Sequence, residues 1–511
     1  MPPNTLTVII LSTSLRYDVS LGMRLLRAIP VVAFYFLIAF LIYIYLPDRA
    51  REIPLESIAV LGFIGLWRYL WLITHCVRAV IYEYLVYPKM RFRASQLPDE
   101  EKYPQRMFFL IPTYKEKPRV TRKMLHSVLS EACSIPSQVY IVVNSGAEEE
   151  DDIFRQVHAD FPKTDNVEMI YIRQKGGKRQ GMADCLYELA GMEIAETDVV
   201  VLMDGDTVLG RGILDKCLPL FALYPKVDAI TTDNISVTEG NWFYRKWYTL
   251  RFSMRHRYMK SLSLSRQLQV LTGRFSLFRA RQCVQPEFIA NLENDRIKHW
   301  LHGEIKFVTG DDKSTWYTLL KKGSEMLYVP DAIIYCMEDS GPEPVKMSIQ
   351  KMHRWFGNML RNNGRAIGLG LGCQRVFVWW CHVDQRLSMF TSLLGPIAAM
   401  WACIWLSWYY LLVYAILVLV VRTLYLLILI LEGHRLSFVD VPMLLYTQWV
   451  GSVVKIYTLF HLHHQKWDSH RTDMDSSEEK GSTLDALIPK MEMVLSYAAL
   501  LVLVISLVGS K

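Results

Sequence analysis

The chain has nine cysteines, and no two of them form a C-x-x-C pair. They stand singly, with no Cys/His cluster at zinc-ligand spacing. This excludes a disulfide scaffold or a zinc module and fits reduced thiols in a cytosolic or bilayer setting. Charge of one sign is also scarce: 57 basic side chains against 50 acidic ones leave a net charge of +7. That surplus is too small, and too poor in interleaved aromatics, for a nucleic-acid partner. It suits an anionic substrate or an anionic membrane surface. Internal repeats and long low-complexity tracts are absent from the sequence. Apolar density begins only near Ala28, too late for an ordinary cleavable signal peptide.

Apolar sequence is abundant, at 51% of residues, and it gathers at the two ends. Residues 28–46 carry no charge and are long enough to cross a bilayer. Residues 58–88 are apolar but contain Arg68, His75 and Arg78. Such groups either face a protein interior or aqueous cavity, or snorkel from a shorter span. Arg16, Arg24 and Arg27 precede the first span, and Lys89, Arg91 and Arg93 follow the second. The positive-inside rule therefore puts the N-terminus and residues 88–386 on the cytosolic side. Residues 387–431 suffice for two spans, with Arg422 in the second, and 491–509 form a last span. Residues 441–460, with Gln448 and Lys455, read either as a span or as an interfacial segment. The expected division is 1–88 with two transmembrane helices, 89–345 as a cytosolic domain, 346–386 as amphipathic interface helices, and 387–511 as a C-terminal membrane region with a polar loop at 461–490. A transporter with a large inserted domain would share this frame, so the central domain has to decide.

In that domain apolar strands alternate with helical segments. RMFFLIPTYKE (106–116), QVYIVVNSG (138–146), VEMIYIRQ (167–174) and DVVVLMDGD (198–206) each run from apolar strand to polar turn. This predicts an α/β fold with a parallel, doubly wound sheet, whose ligands bind at the carboxyl ends of the strands. The polar clusters lie at those ends: Thr113–Tyr114, Asn144–Ser145, Gly177–Lys178–Arg179 and Asp204–Asp206.

Two aspartates ending an apolar strand are poor strand material but good oxygen ligands. Asp204 and Asp206 therefore predict a site for Mg²⁺ (or Mn²⁺) that in turn holds a diphosphate. A second cluster, FVTGDDKSTWYTLL (307–320), sets Asp311 and Asp312 before a helix. They read either as a helix cap or as a general base that deprotonates an attacking sugar hydroxyl. A third, SIQKMHRWFGNMLRNNGRAIGLG (348–370), has the period of an amphipathic helix, with Arg354, Arg361 and Arg365 along its cytosolic face. It reads either as a membrane-surface helix or as a site element with Arg354 on the diphosphate and Trp355 against a sugar ring.

D-x-D, then G-D-D, then R-W, set between apolar spans, resembles the processive family 2 glycosyltransferases, which include cellulose, chitin and hyaluronan synthases. Their usual last element is Q-x-x-R-W. Here QKMHRW displaces Gln350 by one residue and puts Lys351 in its place. GLWRY (65–69), MDGDTVL (203–209), VLTGRFSLFRA (270–280), PEFI (286–289), KFVTGDDKS (306–314), RWFGNMLRNNGRAIGLG (354–370), DQRLSMFTSLLG (384–395) and GSVVKIYTLFHL (451–462) are similar to the bacterial mannuronan synthases, the alginate polymerases.

The resemblance implies a GT-A domain, GDP-mannuronic acid as donor, and a β-1,4-polymannuronate product made with inversion and moved across the bacterial inner membrane during synthesis. It implies Asp204 and Asp206 as metal ligands and Asp312 as base, with Asp311 beside it. Donor contacts would come from Thr113, Tyr114, Asn144, Lys178, Arg179 and Arg354. Trp467 and Arg471 would join them from HHQKWDSHR (463–471), which resembles a loop that closes over donors. Trp355, Arg274 and Trp300 fall to the acceptor polymer. No pair of R-x-x-x-R and D/N-x-S-x-x-G motifs is found, so a cyclic-di-GMP-binding PilZ co-polymerase and periplasmic export proteins would be separate chains. A polyuronate also needs cations or hydrogen-bonding groups along its path. Arg68, His75, Arg78, Arg257, Arg274, Arg386 and Arg422 either serve it or form structural ion pairs. The alternatives are a synthase of another β-linked polysaccharide, a non-processive lipid-carrier glycosyltransferase, and a transporter or scaffold with a degenerate enzyme domain.

Overall fold

The structure, a computed structural model, describes residues 20–48, 55–161, 164–299, 302–465 and 483–508. It opens on helix α1 (Leu21–Tyr45), capped by Ser20, whose hydroxyl accepts from the Met23 amide at 3.4 Å. The cap lies upstream of the uncharged run, so Arg24 and Arg27 sit in the first turns of the helix and not before it. Helix α2 (Leu55–Ile81) continues through a π-helical turn (Tyr82–Val86) into α3 (Tyr87–Ser95). The wide turn sits just before Pro88, which has no amide to donate to the preceding turn.

The central domain follows as β1 (Arg106–Thr113), α4 (Pro118–Ala132), β2 (Gln138–Ser145), α5 (Asp151–Asp160), β3 (Val167–Arg173), α6 (Gly177–Ala190), β4 (Val199–Met203), β5 (Thr207–Leu209), α7 (Ile213–Leu223), β6 (Val227–Glu239), α8 (Trp242–Ser263) and β7 (Phe275–Arg279). It continues with α9 (Pro286–Asn294), a β8 (Arg296–His299)/β9 (Gly303–Lys306) ribbon, α10 (Asp311–Lys321), β10 (Glu325–Asp339) and α11 (Pro344–Gly368). The large sheet has the order β3-β2-β1-β4-β7-β6-β10-β5.

Neighbouring residues of one strand pack on opposite faces of this sheet. Met107, Phe109 and Ile111 of β1 join one buried cluster with Leu125 and Val128 of α4. Phe108 and Leu110 join the other with Met182 and Leu186 of α6. Both faces are covered, so the strand is apolar at nearly every position.

The sheet is mixed, where the strand pattern predicts a parallel one. β3, β2, β1 and β4 are parallel, but β7 lies antiparallel between β4 and β6, and β5 is antiparallel to β10. The reason is the segment 264–274. It returns the chain to the end where β4 stops, so that Phe275 pairs with Met203.

Beyond the domain lie α12 (Val376–Trp405), α13 (Tyr409–Ile430), α14 (Asp440–Phe460) and α15 (Thr483–Val508). The boundary expected at 386 falls inside α12, because the helix starts at Val376. Among the described residues, α1, α12 and α13 are long and apolar enough to cross a membrane. α1 packs along α13, and its other side exposes Leu26, Ile29, Leu37 and Phe40. These surfaces associate the chain with a membrane. The ambiguous segment 441–460 is α14. It packs on α11 and α12, with Lys455 buried and donating to the Gln385 carbonyl at 2.8 Å.

Candidate active site

The site starts where β4 and β1 end side by side. A Cβ at Gly205 would stand 2.6 Å from Thr113 Cγ2 and 3.1 Å from the Pro112 carbonyl, so the residue between the two aspartates has to be small. Asp204 leaves β4 with its amide on the Arg274 carbonyl at 3.2 Å. Its Oδ1 is 2.6 Å from Lys178 Nζ, and Asp206 takes Arg274 Nη1 at 3.0 and 3.1 Å. Lys178 stands at the start of α6, where Gly177 turns the chain with a φ of +82°.

The second aspartate pair arrives from α10. Gly310, in the left-handed region at φ +88°, is the N-cap, so Asp311 and Asp312 occupy the first turn and are not the cap itself. Carboxylates are favoured there by the helix dipole. Asp311 is buried, with Oδ2 2.8 Å from Lys178 Nζ, so one lysine joins the two motifs. Asp312 is half-buried and accepts from the Lys313 amide at 2.9 Å. All of this converges on Gly273. A Cβ there would meet Asp312 Cβ at 3.5 Å and the Oδ2 atoms of Asp204 and Asp311 at 3.8 Å.

Crowded carboxylates raise one another. Burial, then Asp206, Glu150 and Asp204, push Glu116 up to about 8. Burial raises Asp204 despite Lys178, with Asp206 and Asp311 adding to it. Burial and the neighbouring Asp311 push Asp312 up to about 6. Asp311 goes down, because Lys178 and Arg179 outweigh its burial. Glu338 is likewise buried, but Lys351 and Arg274 hold it at about 2.

The other predicted residues divide by what they touch. Thr113 donates to buried Glu150 at 2.6 Å, and the Tyr114 ring lies against Gly146. Asn144 turns into the β2–α6 interface, where its amide donates to the Gly181 carbonyl at 2.9 Å. Arg179 points away from Asp204. It donates to the Leu292 carbonyl at 2.7 Å and to Ser314 at 3.1 Å, tying α6 to α9 and α10. Arg274, assigned to the polymer by resemblance, instead bridges Asp206 and Glu338. Trp355 is stacked on Trp247 at 5.9 Å and lies edge-on to Tyr248 at 5.6 Å. Lys351 contacts both oxygens of Glu338 at 2.9 and 3.2 Å, Gln350 is exposed, and half-buried Arg354 is one helical turn further on. Trp300, Trp467 and Arg471 lie outside the described residues.

α11 departs from the expected basic cytosolic face. Arg361 is buried and donates to Asn358 at 2.5 Å and to the Leu462 carbonyl at 2.9 Å, while Asn358 accepts from Thr309 of the T-G-D-D motif at 2.8 Å. Arg365 is turned onto Asp295 at 2.8 Å. These arginines hold the loops around the second aspartate pair. Glu116, Glu150, Glu338 and Gly273 were not singled out from the sequence. Glu116 and Glu338 had a signal, since each ends or follows an apolar strand as Asp204 does.

The cations proposed for a polymer path are mostly engaged. Arg68 meets Asp384 at 2.6 Å, and His75 meets Ser261 at 2.8 Å. Arg78 donates to the Ser261 carbonyl at 3.1 Å, Arg257 to Tyr425 at 2.8 Å, and Arg386 to the Leu360 carbonyl at 2.7 Å. Arg422 pairs with Gln448.

The sequence profile of the family described as "Glycosyltransferase like family 2" matches residues 104–358. Glycosyltransferase alg8 of Pseudomonas syringae pv. tomato is 37% identical over 82% of this chain and 85% of its own. Glycosyltransferase alg8 of Azotobacter vinelandii is 37% identical with the same coverage of each chain. Among solved structures, mannosyltransferase PcManGT from Pyrobaculum calidifontis, in complex with GDP-Man and Mn²⁺, is similar over 77% of this chain and 98% of its own, at a TM-score of 0.46 and 16% identity. The mixed sheet with helices on both faces is the GT-A arrangement.

Proposed function

This chain belongs to the family 2 glycosyltransferases that include the alg8 enzymes, and from that premise we propose that it polymerises mannuronic acid from GDP-mannuronic acid into β-1,4-polymannuronate. The observation that carries the reading is the convergence of Asp204, Asp311 and Asp312 on Gly273. It supports reading Asp204 as part of a diphosphate-binding motif set against a separate carboxylate base.

Asp204 and Asp206 would hold the cation, Mg²⁺ or Mn²⁺. The donors are all carboxylate oxygens, which suits a hard ion, and their crowding with Glu116 is the repulsion that such an ion relieves. When bound, the metal neutralises charge on the departing GDP.

The chain's own residues do the rest. Asp312 accepts the proton of the acceptor hydroxyl as that oxygen bonds to C1 of the donor, and the bond from C1 to the diphosphate breaks with inversion. Lys178 fixes the two aspartate motifs relative to one another. Arg274, Glu338 and Lys351 anchor Asp206 to α11, the helix that bears Arg354 and Trp355. Lys351 thus takes over the family's glutamine position as a structural tie. Arg354 serves the diphosphate and Trp355 the acceptor sugar. The polymer leaves across the inner membrane through the multi-pass helical region, with the PilZ co-polymerase and export proteins supplied as separate chains.

The test is a donor panel on the full-length protein in lipid with Mg²⁺. High-mass polymannuronate should form from GDP-mannuronic acid and not from UDP-glucose or UDP-N-acetylglucosamine. Polymer from a UDP-sugar alone rejects the substrate and keeps the reaction class. Single-sugar products reject processivity.

A further inference from the structure

α8 carries a stripe that none of the roles above uses. Trp247, Arg251, Arg255 and Tyr258 recur at helical spacing and share one face. The Arg251 guanidinium lies 5.2 Å from the Trp355 ring centre and 5.6 Å from that of Phe356. Lys455 Nζ approaches the same Phe356 ring at 5.4 Å. At the other end of the stripe the Tyr258 hydroxyl donates to the Gln269 side chain at 2.5 Å, and the Gln269 carbonyl accepts from Lys313, the neighbour of Asp312. The stripe therefore runs from α10, the helix that bears Asp312, toward the aromatic pair on α11.

Arg251 and Arg255 differ from the arginines that the sequence suggested for a path. Among the described residues neither has a carboxylate within ion-pair reach. Both Nη atoms of Arg255 are buried without a hydrogen-bond partner. Burial without a counter-charge holds Arg251 down to about 10. The faces of Trp355 and Phe356 compensate Arg251 in part, and Arg255 has no such ring contact among the described residues. Two cations left in this state are expensive unless an anion completes them.

We propose that Arg251 and Arg255 form a two-point subsite for the carboxylates of the growing polyuronate, between α10 and the aromatic pair on α11. The inference rests on the polyuronate reading above. Guanidinium forks match carboxylates bidentately, and residues four apart on a helix are separated by about 6 Å along its axis, on the scale of one hexuronate. A neutral chain would gain nothing from these groups, so they select the acid sugar at the acceptor end.

The experiment extends oligomannuronate and, separately, uncharged oligomannose on the full-length protein in lipid, with Arg255→Gln, Arg251→Gln and Arg255→Lys. In Arg255→Gln and Arg251→Gln the KM for oligomannuronate should rise about tenfold to a hundredfold, as for loss of a charged hydrogen bond. The polymer should shorten, while the KM for the donor moves less than about twofold, a change too small to represent a lost hydrogen bond. Arg255→Lys should recover part of the loss. Equal losses on both acceptors, or no change on either, overturn the subsite. A wild type that extends oligomannose in preference to oligomannuronate overturns the substrate reading, and the subsite with it. If the wild type makes polymannuronate and the variants discriminate between the two acceptors as the wild type does, the subsite alone is rejected.

Discussion

Asp204/Asp206 and Asp311/Asp312 are the same residue type in glycine-containing motifs on either side of Gly273, yet the protein holds the two pairs differently. At the strand end each aspartate has its own cation, Lys178 for Asp204 and Arg274 for Asp206. At the helix start Asp311 shares Lys178, and Asp312, among the described residues, has no cation in ion-pair contact. The first pair is held between two cations, although burial still raises Asp204. The second is split: Asp311 is held down by its neighbours, and Asp312 is pushed up to about 6. Environments that drive like groups apart in pKa assign them different work.

The strongest way to break this contrast is Asp312→Asn. Polymer synthesis should fall by about 10²- to 10⁴-fold, the usual share of a general base, while membrane insertion and GDP binding persist. Synthesis above a tenth of the wild-type rate would move the base elsewhere. Asp204→Ala should act on the other half. GDP affinity measured calorimetrically in Mg²⁺ or Mn²⁺ should drop at least about tenfold, and chelation should do the same to the wild type. Equal affinity with and without the cation would detach the strand-end pair from metal binding.

A third measurement sharpens the contrast through pH. In the proposed role Asp312 works as the carboxylate, and its folded pKa lies above the ordinary aspartate value, so kcat/KM should fall about tenfold per unit below a limb near 6. The same upward shift acts on stability in the opposite direction. The fold favours the protonated form, so this contribution is full below the ordinary aspartate pKa and is lost as pH rises through about 6. A rate limb near 4 would show that burial does not control this group. The smallest effect concerns the close approach between the two strand ends. Gly205→Ala forces a contact now 2.6 Å from Thr113 Cγ2 and should cost about 1–3 kcal/mol in thermal unfolding. An unchanged midpoint would mean that the β1 and β4 ends separate freely.

Much of this was legible before any coordinates. Strand β4 and its aspartates were readable because an apolar strand that ends in acids has few bland explanations. The helix after T-G-D-D and the amphipathic period of α11 were also readable. The antiparallel β7 was not, since reversal came from the path of segment 264–274 and not from the residues of the strand. Arg179 and Arg274 were assigned by type, and type does not tell an arginine that binds substrate from one that binds a carbonyl or an aspartate. Arg251 and Arg255 were passed over because nothing local marks an arginine whose partner is missing.

Sequence alone determined the apolar ends, the α/β alternation, and the identity of the acids at strand and helix termini, because periodicity and side-chain chemistry are local properties. Tertiary structure decided which acids meet, that Lys178 bridges two motifs 107 residues apart along the chain from Asp204 to Asp311, and which cations are already satisfied. Burial and pairing depend on distance through space, and that is set only once the sheet and the helices around Gly273 have packed.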